Sequence, residues 1–270
     1  MTRLHNTSTP TVVVLMAVYN GDKTVEQSIT SVLEQSYRDF VFIIVDDGST
    51  DETARILRKM SKQDERIKII VNPRNLGFPA SLNVGWTSTD AEFIALNDSD
   101  DISLPNRLEA QLAFMQMRPD IDVLGTGIIM ISRDGAELGS ASLPEDHETL
   151  ADRIYRENPF FHPTVMFRRR YLETLNGYDV KLRRVQDCDL WFRGYTQFTF
   201  HNLQTPLVRY RMPGKPRWDS VYWASYVLLR AAWREGKIFS KGWYAIRALL
   251  AQIAYRSGIL KPGYVRRSQS

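Results

Sequence analysis

The stretch "NDSDD" sets three carboxylates, Asp98, Asp100 and Asp101, directly after the apolar run "FIAL". Carboxylates this close raise one another's pKa and oppose ionisation unless a cation or hydrogen-bond donors offset them. Asp98 and Asp100, two apart at the end of a strand, present the oxygen ligands that Mg²⁺ or Mn²⁺ shares with substrate phosphates, and a solvated turn is the alternative use of the same residues. A second pair, Asp46 and Asp47 in "VDDGSTDET", suits either turn and cap chemistry or the acceptance of hydrogen bonds from a base or ribose. The third pair, Asp187 and Asp189 in "VQDCDLWFRG", begins a helix, where the helix dipole favours carboxylates, or supplies a general base. His162 in "FFHPTVMF" ranks below Asp187 as a base, and Cys188 reads as a packing residue.

The elements that must position these residues follow from periodicity. "TVVVLMAVY" (11–19), "FVFIIV" (40–45), "RIKIIV" (66–71) and "EFIAL" (92–96) are apolar, β-branched runs of buried-strand type. Helical patterns separate them, with capping-box spacing expected at Thr24/Gln27 and at Ser49/Glu52. Strands alternating with helices predict right-handed βαβ units and a mostly parallel sheet. Ligands bind outside the carboxyl ends of such strands, so Asp46, Asp47, Asp98 and Asp100 are expected in one crevice. Farther on, "LPNRLEAQLAFMQM" reads as a helix, "DVLGTGIIMI" as a strand broken by glycines, and "FTFHNL" and "PLVRYRM" as two strands.

The charge is unevenly distributed. The chain of 270 residues carries a net +4, but positions 209–270 hold 13 Lys and Arg against two acids, leaving 22 basic against 29 acidic residues before them. An acidic body with a basic tail suggests a charged partner for the tail. Four of the six tryptophans, Trp218, Trp223, Trp233 and Trp243, also fall in this tail. Apolar residues there recur at helical spacing, from Val221 and Tyr226 to Leu249, Leu250 and Ile253. Amphipathic helices of this composition lie on anionic membranes, and a homodimer face is the alternative. No binding module accompanies the basic stretch, so nucleic acid is not expected. The single cysteine fits a reducing compartment, and no apolar run approaches the roughly 20 residues that span a bilayer.

The ordered motifs "VLMAVYNGDKTVEQSITSVLEQSYRDFVFIIVDDGSTDET", "NLGFPASLNVG", "ALNDSDD", "HPTVMFRRRYLETLNGYD" and "QDCDLWFR" resemble those of family 2 glycosyltransferases over residues 11 to about 212. The resemblance implies a GT-A fold, a nucleotide-diphosphate sugar donor (a UDP-sugar favoured), a divalent metal (Mn²⁺ or Mg²⁺), and inversion at the anomeric carbon. By the same resemblance, Ala17 and Tyr19 line the nucleoside pocket and Asp47, with Asp46 beside it, meets the base or ribose. Asn75 and Gly77 belong to a loop near the donor. Asp98 and Asp100 match the DXD motif, with Asp100 favoured for direct metal contact, and Asp187 matches the catalytic base. Gln186 stands where the family commonly has Glu, and Pro213 where it often has His. Arg209, Arg211 and Lys215 are therefore candidate diphosphate contacts, with His162 and Trp191 candidate acceptor contacts.

The expected organisation is a lead-in (1–10), a GT-A catalytic domain (11–213) with a donor half to about 101 and an acceptor half from 102, and a basic helical extension (214–270). The expected acceptor is a glycan or a lipid-linked saccharide, and the expected location is cytoplasmic, peripheral at the inner face of the plasma membrane. A sugar-phosphate nucleotidyltransferase shares the sheet and the aspartates, but "MAVYNGDKTVEQ" has one Gly where a triphosphate-holding loop is Gly-rich. A catalytically silent scaffold of the same fold is the non-enzymatic alternative.

Overall fold

A computed structural model of the chain describes residues 10–212 and 218–246. The lead-in at 1–9, Pro213, Lys215 and the apolar positions Leu249, Leu250 and Ile253 lie outside the described residues. The chain divides into two compact units, Met1–Gly214 and Lys215–Ser270.

The first unit is built around one sheet. Its opening half is βαβ in form: β1 (Val12–Val18), α1 (Val25–Leu33), β2 (Phe40–Asp46), α2 (Thr53–Gln63), β3 (Ile67–Val71), α3 (Phe78–Thr87) and β4 (Phe93–Leu96). There follow β5 (Ile102–Ser103), α4 (Arg107–Met117), β6 (Ile121–Ile131), β7 (Glu137–Ala141), α5 (His147–Arg153), β8 (Met166–Arg168), α6 (Arg169–Thr174), α7 (Gln186–Gly194) and β9 (Thr199–Arg211). Among the described residues the sheet has nine strands in the order β3-β2-β1-β4-β8-β6-β9-β5, with β7 paired to β6.

β1 is buried along its whole length, as its unbroken apolar run requires of a strand covered on both faces. Val12, Val14, Met16 and Val18 pack with Val25, Ile29 and Val32 of α1 and Leu57 of α2 in one core. The α/β sheet expected from the sequence is present, with parallel pairing of β1 to β4 and of β6 with β9 and with antiparallel strands added in the second half. Strands β1 to β4 pair in parallel, whereas β8 runs antiparallel to both β4 and β6, and β5 antiparallel to β9. After β4 the antiparallel neighbours come from distant parts of the chain, β8 inserting between β4 and β6, and among the described residues only β6 and β7 are joined by a short hairpin turn.

Two local readings are corrected. Neither Thr24 nor Glu52 makes a side-chain cap bond. The loops after β1 and β2 lie side by side, so their polar groups bond across the gap: Asn20 N–H donates to Ser49 Oγ at 3.1 Å and Gly21 N–H to Thr53 Oγ1 at 2.9 Å. The glycines of "DVLGTGIIMI" do not break β6. A Cβ on Gly125 would stand 2.1 Å from Asn202 Oδ1, so its absence lets β6 continue against β9. β9 itself is one strand through "FTFHNL" and "PLVRYR", with shifts in register opposite Gly127.

The strand order reverses beside β1, with β2 on one side and β4 on the other. Crevices at the carboxyl ends of strands flanking such a reversal are where open α/β sheets bind ligands.

Candidate active site

The acidic loop after β4 enters this crevice. Asp98 is half-buried, Asp100 exposed and Asp101 buried. Burial, reinforced by the charges of Asp100 and Asp187, pushes the Asp98 carboxyl up to about 7, with Arg107 opposing. Asp101 is raised by burial and by both neighbouring aspartates. The crowding legible in the sequence is thus a physical property of the folded site.

Its built-in counter-charge is Arg107, at the start of α4 and only 1% exposed. Its guanidinium donates to Leu96 O at 2.6 Å, Ser103 Oγ at 2.9 Å, Gln111 Oε1 at 3.0 Å and Asn97 Oδ1 at 3.2 Å. Burial lowers its pKa to about 10 while Asp101 and Asp98 hold it up, so the group stays cationic. The sequence held a signal for it, because Arg107 shares the α4 face of Leu108, Gln111, Leu112 and Met115, all buried. A charge on an apolar face marks a buried ion that needs partners.

Arg211, a candidate diphosphate contact, also anchors the acidic loop. Its backbone N–H donates to Asp101 Oδ1 at 2.7 Å and its Nε to Asp100 O at 2.9 Å. Nη1 donates to Ser132 O and Arg133 O, and Nη2 to Gln27 Oε1. Most of its donors are therefore committed to tying the acidic loop to β9, to α1 and to the β6–β7 turn. Arg209 lies 3.9 Å from the Glu137 carboxylate, a weak surface pair.

On the β2 side, Asp46 and Asp47 are both buried. Asp46 Oδ1 accepts from Ser49 N–H at 2.9 Å. Asp47 accepts from Asn72 Nδ2, Leu76 N–H and Gly77 N–H at 2.8 to 2.9 Å, so its carboxylate holds the loop that leads into α3. Asp47 thereby positions the loop beside the crevice in which a base or ribose contact is expected of it. Gly77, at φ 96° and ψ 152°, occupies a conformation essentially reserved for glycine. Asn75 is exposed beside it. Ala17 is buried at the carboxyl end of β1, and Tyr19, 48% exposed, stands just beyond.

The "DCD" motif resolves into two roles. Asp189 is buried and pairs with Arg193 Nε at 2.7 Å, while Arg193 also donates to Leu175 O and Gly177 O. Asp187 is half-buried, and its Oδ2 accepts from Asn158 Nδ2 at 2.7 Å. The charge of Asp187 is felt at Asp98, and the half-buried Tyr210 phenol is raised by burial and then by Asp101, Asp98, Asp100 and Asp187. Four carboxylates and one phenol therefore share one electrostatic environment. Val185 precedes the helix in the left-handed region at φ 53°, costing a β-branched residue on the order of 1–3 kcal/mol, and such outliers cluster at functional sites.

His162 Nε2 lies 3.0 Å from Tyr178 Oη, with the Phe78, Tyr178 and Trp191 rings around it. Burial lowers its pKa, with Asp187 opposing. Trp191 is fully buried among Phe160, Phe167 and Phe200, so its expected acceptor contact is corrected to a core role. Cys188 has its thiol pushed well up by burial and Asp187, which suppresses thiolate chemistry. Asn158, Tyr178 and Tyr210 lie in irregular stretches or at a strand end, where local pattern carries no signal for them.

A parallel nucleotide-type half joined to a mixed half, with an acidic crevice at the strand reversal, is the architecture of GT-A glycosyltransferases. The chain superposes on S. aureus TarS 1-349 in complex with UDP-GlcNAc at a TM-score of 0.69 and 19% identity, covering 93% of this chain and 74% of that one. It superposes on the mannosyltransferase PcManGT from Pyrobaculum calidifontis, in complex with GDP-Man and Mn²⁺, at 0.60 and 16% identity, covering 95% and 78%. Residues 13–175 match the profile described as Glycosyl transferase family 2. The O-antigen biosynthesis glycosyltransferase WbnJ of Escherichia coli is 35% identical over 75% of this chain and 80% of its own. The chain belongs to the family 2 glycosyltransferases and is an enzyme of that class.

Proposed function

We propose that the chain moves a sugar, with inversion, from a nucleotide-diphosphate donor to a glycan or lipid-linked acceptor, using Asp187 as general base. The observation that carries this reading is the Asp187 carboxylate, one oxygen held by Asn158 and its charge reaching Asp98 and the acidic crevice. As the acceptor oxygen attacks the anomeric carbon, its proton passes to Asp187 and the bond to the diphosphate breaks on the opposite face. A single displacement needs no covalent intermediate, and no nucleophile is assigned.

The residues fit a divalent cation. Asp98 and Asp100 form an all-oxygen set suited to a hard ion, and the Asp98 carboxyl is raised by burial and by the charges of Asp100 and Asp187, with Arg107 opposing. Among the described residues no group of three or more His, Cys, Asp or Glu is arranged to hold a metal. Asp98 and Asp100 would hold it, and when bound it supplies Lewis-acid stabilisation of the leaving diphosphate. The Mn²⁺ and GDP-Man of PcManGT and the UDP-GlcNAc of TarS support a nucleotide-sugar donor with metal. We favour a UDP-sugar donor. WbnJ's O-antigen role supports polysaccharide assembly as the setting. The basic tail supports a peripheral position on the inner face of the plasma membrane. The 11–213 catalytic and 214–270 extension boundaries are kept as part of this reading.

Thermal denaturation with UDP, GDP, dTDP and CMP, each with and without Mn²⁺, tests the donor site. Ligand at about 100 times its Kd stabilises the fold by about 2.7 kcal/mol. The expected result is a rise for one nucleoside diphosphate only with metal, lost in Asp100→Ala. A response unchanged in Asp100→Ala removes that residue from the metal site.

Asn158→Ala tests how the base is held. Loss of a hydrogen bond to a charged acceptor costs about 1.5–3 kcal/mol, roughly a 10- to 100-fold drop in kcat/KM if the full effect falls on the transition state. An unchanged kcat/KM in a correctly folded variant denies Asn158 this role.

A further inference from the structure

The second unit contains a helical hairpin. α8 (Trp218–Arg234) ends at Gly236, whose φ is 66°, and Lys237 N–H donates back to Ala232 O at 2.7 Å. The return arm comprises α9 (Ile238–Lys241) and the helical residues 243–246, with Ser225 Oγ donating across to Ala245 O at 3.2 Å. Val227, Ala231, Ala232, Tyr244 and Ala245 are buried.

The outward face of α8 is not the polar face expected of a surface helix. Tyr222, Tyr226, Leu229 and Trp233, spaced by four, three and four residues, lie on one stripe and are 64, 44, 42 and 76% exposed. The return arm adds Phe239, fully exposed, with Trp243 and Ile246. We infer that this aromatic face docks into the headgroup region of an anionic lipid bilayer.

Tyr and Trp pair an apolar ring with a polar tip, the combination enriched at membrane–water boundaries. Arg230, Arg234, Lys237 and Lys241 lie on the same hairpin, and positions 209–270 carry 13 basic residues against two acids. Within Lys215–Ser270 alone the count is 11 basic residues against two acids, a charge that complements an anionic surface and opposes pairing with a second copy of the same tail. Among the described residues no helix is long and apolar enough to cross a membrane, so the docking is interfacial. The inference gives the proposed peripheral position its contact surface and does not depend on which carboxylate acts as base.

Co-sedimentation of the full chain with vesicles of phosphatidylcholine alone, or mixed with phosphatidylglycerol, provides the test. The chain is expected to pellet with the mixed vesicles and remain largely in solution with the neutral ones. Brominated phosphatidylglycerol should quench its tryptophan emission. Trp233→Ser with Phe239→Ser should weaken vesicle affinity by about tenfold or more without changing the circular dichroism spectrum. Tyr222→Ser with Tyr226→Ser provides a second pair if the first disturbs folding. Failure to bind mixed vesicles, or equal binding by folded stripe variants, overturns the inference. A concentration-dependent dimer that those variants dissolve also overturns it and assigns the face to a second copy.

Discussion

Asp187→Asn is expected to fold, to melt with the wild-type chain and to take up donor nucleotide normally, while its transfer rate falls by about 10²- to 10⁴-fold, the usual contribution of a positioned general base. Asn has nearly the shape of Asp, and its side-chain oxygen can keep accepting from Asn158 Nδ2, now at 2.7 Å. What it cannot do is take the acceptor's proton. Asp189→Asn is the matched control from the same "DCD" motif. That carboxylate is buried against Arg193, so its neutralisation should lower the melting midpoint first and affect transfer only through stability. Steady-state rates beside nucleotide-induced thermal shifts separate the two cases. Wild-type turnover by Asp187→Asn would remove Asp187 from the mechanism.

Arg107→Leu is expected to cause the largest loss of stability, about 3–5 kcal/mol, the scale for removing one member of a buried charged network. At the 2–4 °C per kcal/mol typical of this size, the midpoint should drop by on the order of 10 °C. Leucine leaves Leu96 O, Asn97 Oδ1, Ser103 Oγ and Gln111 Oε1 without the guanidinium that now bonds them. It also leaves Asp98 and Asp101 without the cation that opposes their elevated pKa values. The resulting shift toward protonated carboxyls should weaken any Mn²⁺-dependent nucleotide response as well. Adding Asp101→Asn removes one uncompensated charge while preserving an acceptor for Arg211 N–H, so the double variant should recover part of the lost midpoint. A melting curve for Arg107→Leu that coincides with the wild type would show that the network contributes little.

Much of the first half was legible in the sequence. Continuous apolar runs at 11–19, 40–45 and 92–96 became β1, β2 and β4, because a strand covered on both faces has no polar side to interrupt it. The second half was less legible. "DVLGTGIIMI" looked broken because its glycines answer the close approach of β9, a constraint written far away in the chain. The expected capping boxes failed for the same reason: Ser49 and Thr53 bond the neighbouring β1 loop, and Asn20 and Gly21 become their partners only once β1 and β2 pair.

By itself, the sequence determined that this chain has an α/β domain with carboxylates at its strand ends and a basic, aromatic tail. Those properties follow from local periodicity, residue type and composition. The tertiary structure decided what each charge is for. Arg211 stands 110 residues from Asp101 and ties down the acidic loop, and Asn158 stands 29 residues from Asp187 and orients its carboxylate. Of two aspartates in one helical turn, one is neutralised by Arg193 and the other is held by Asn158 within the electrostatic reach of the crevice. A side chain's charge is encoded where it stands, but its partner is set by whatever the fold brings within a few ångströms, and that distance has no local signature.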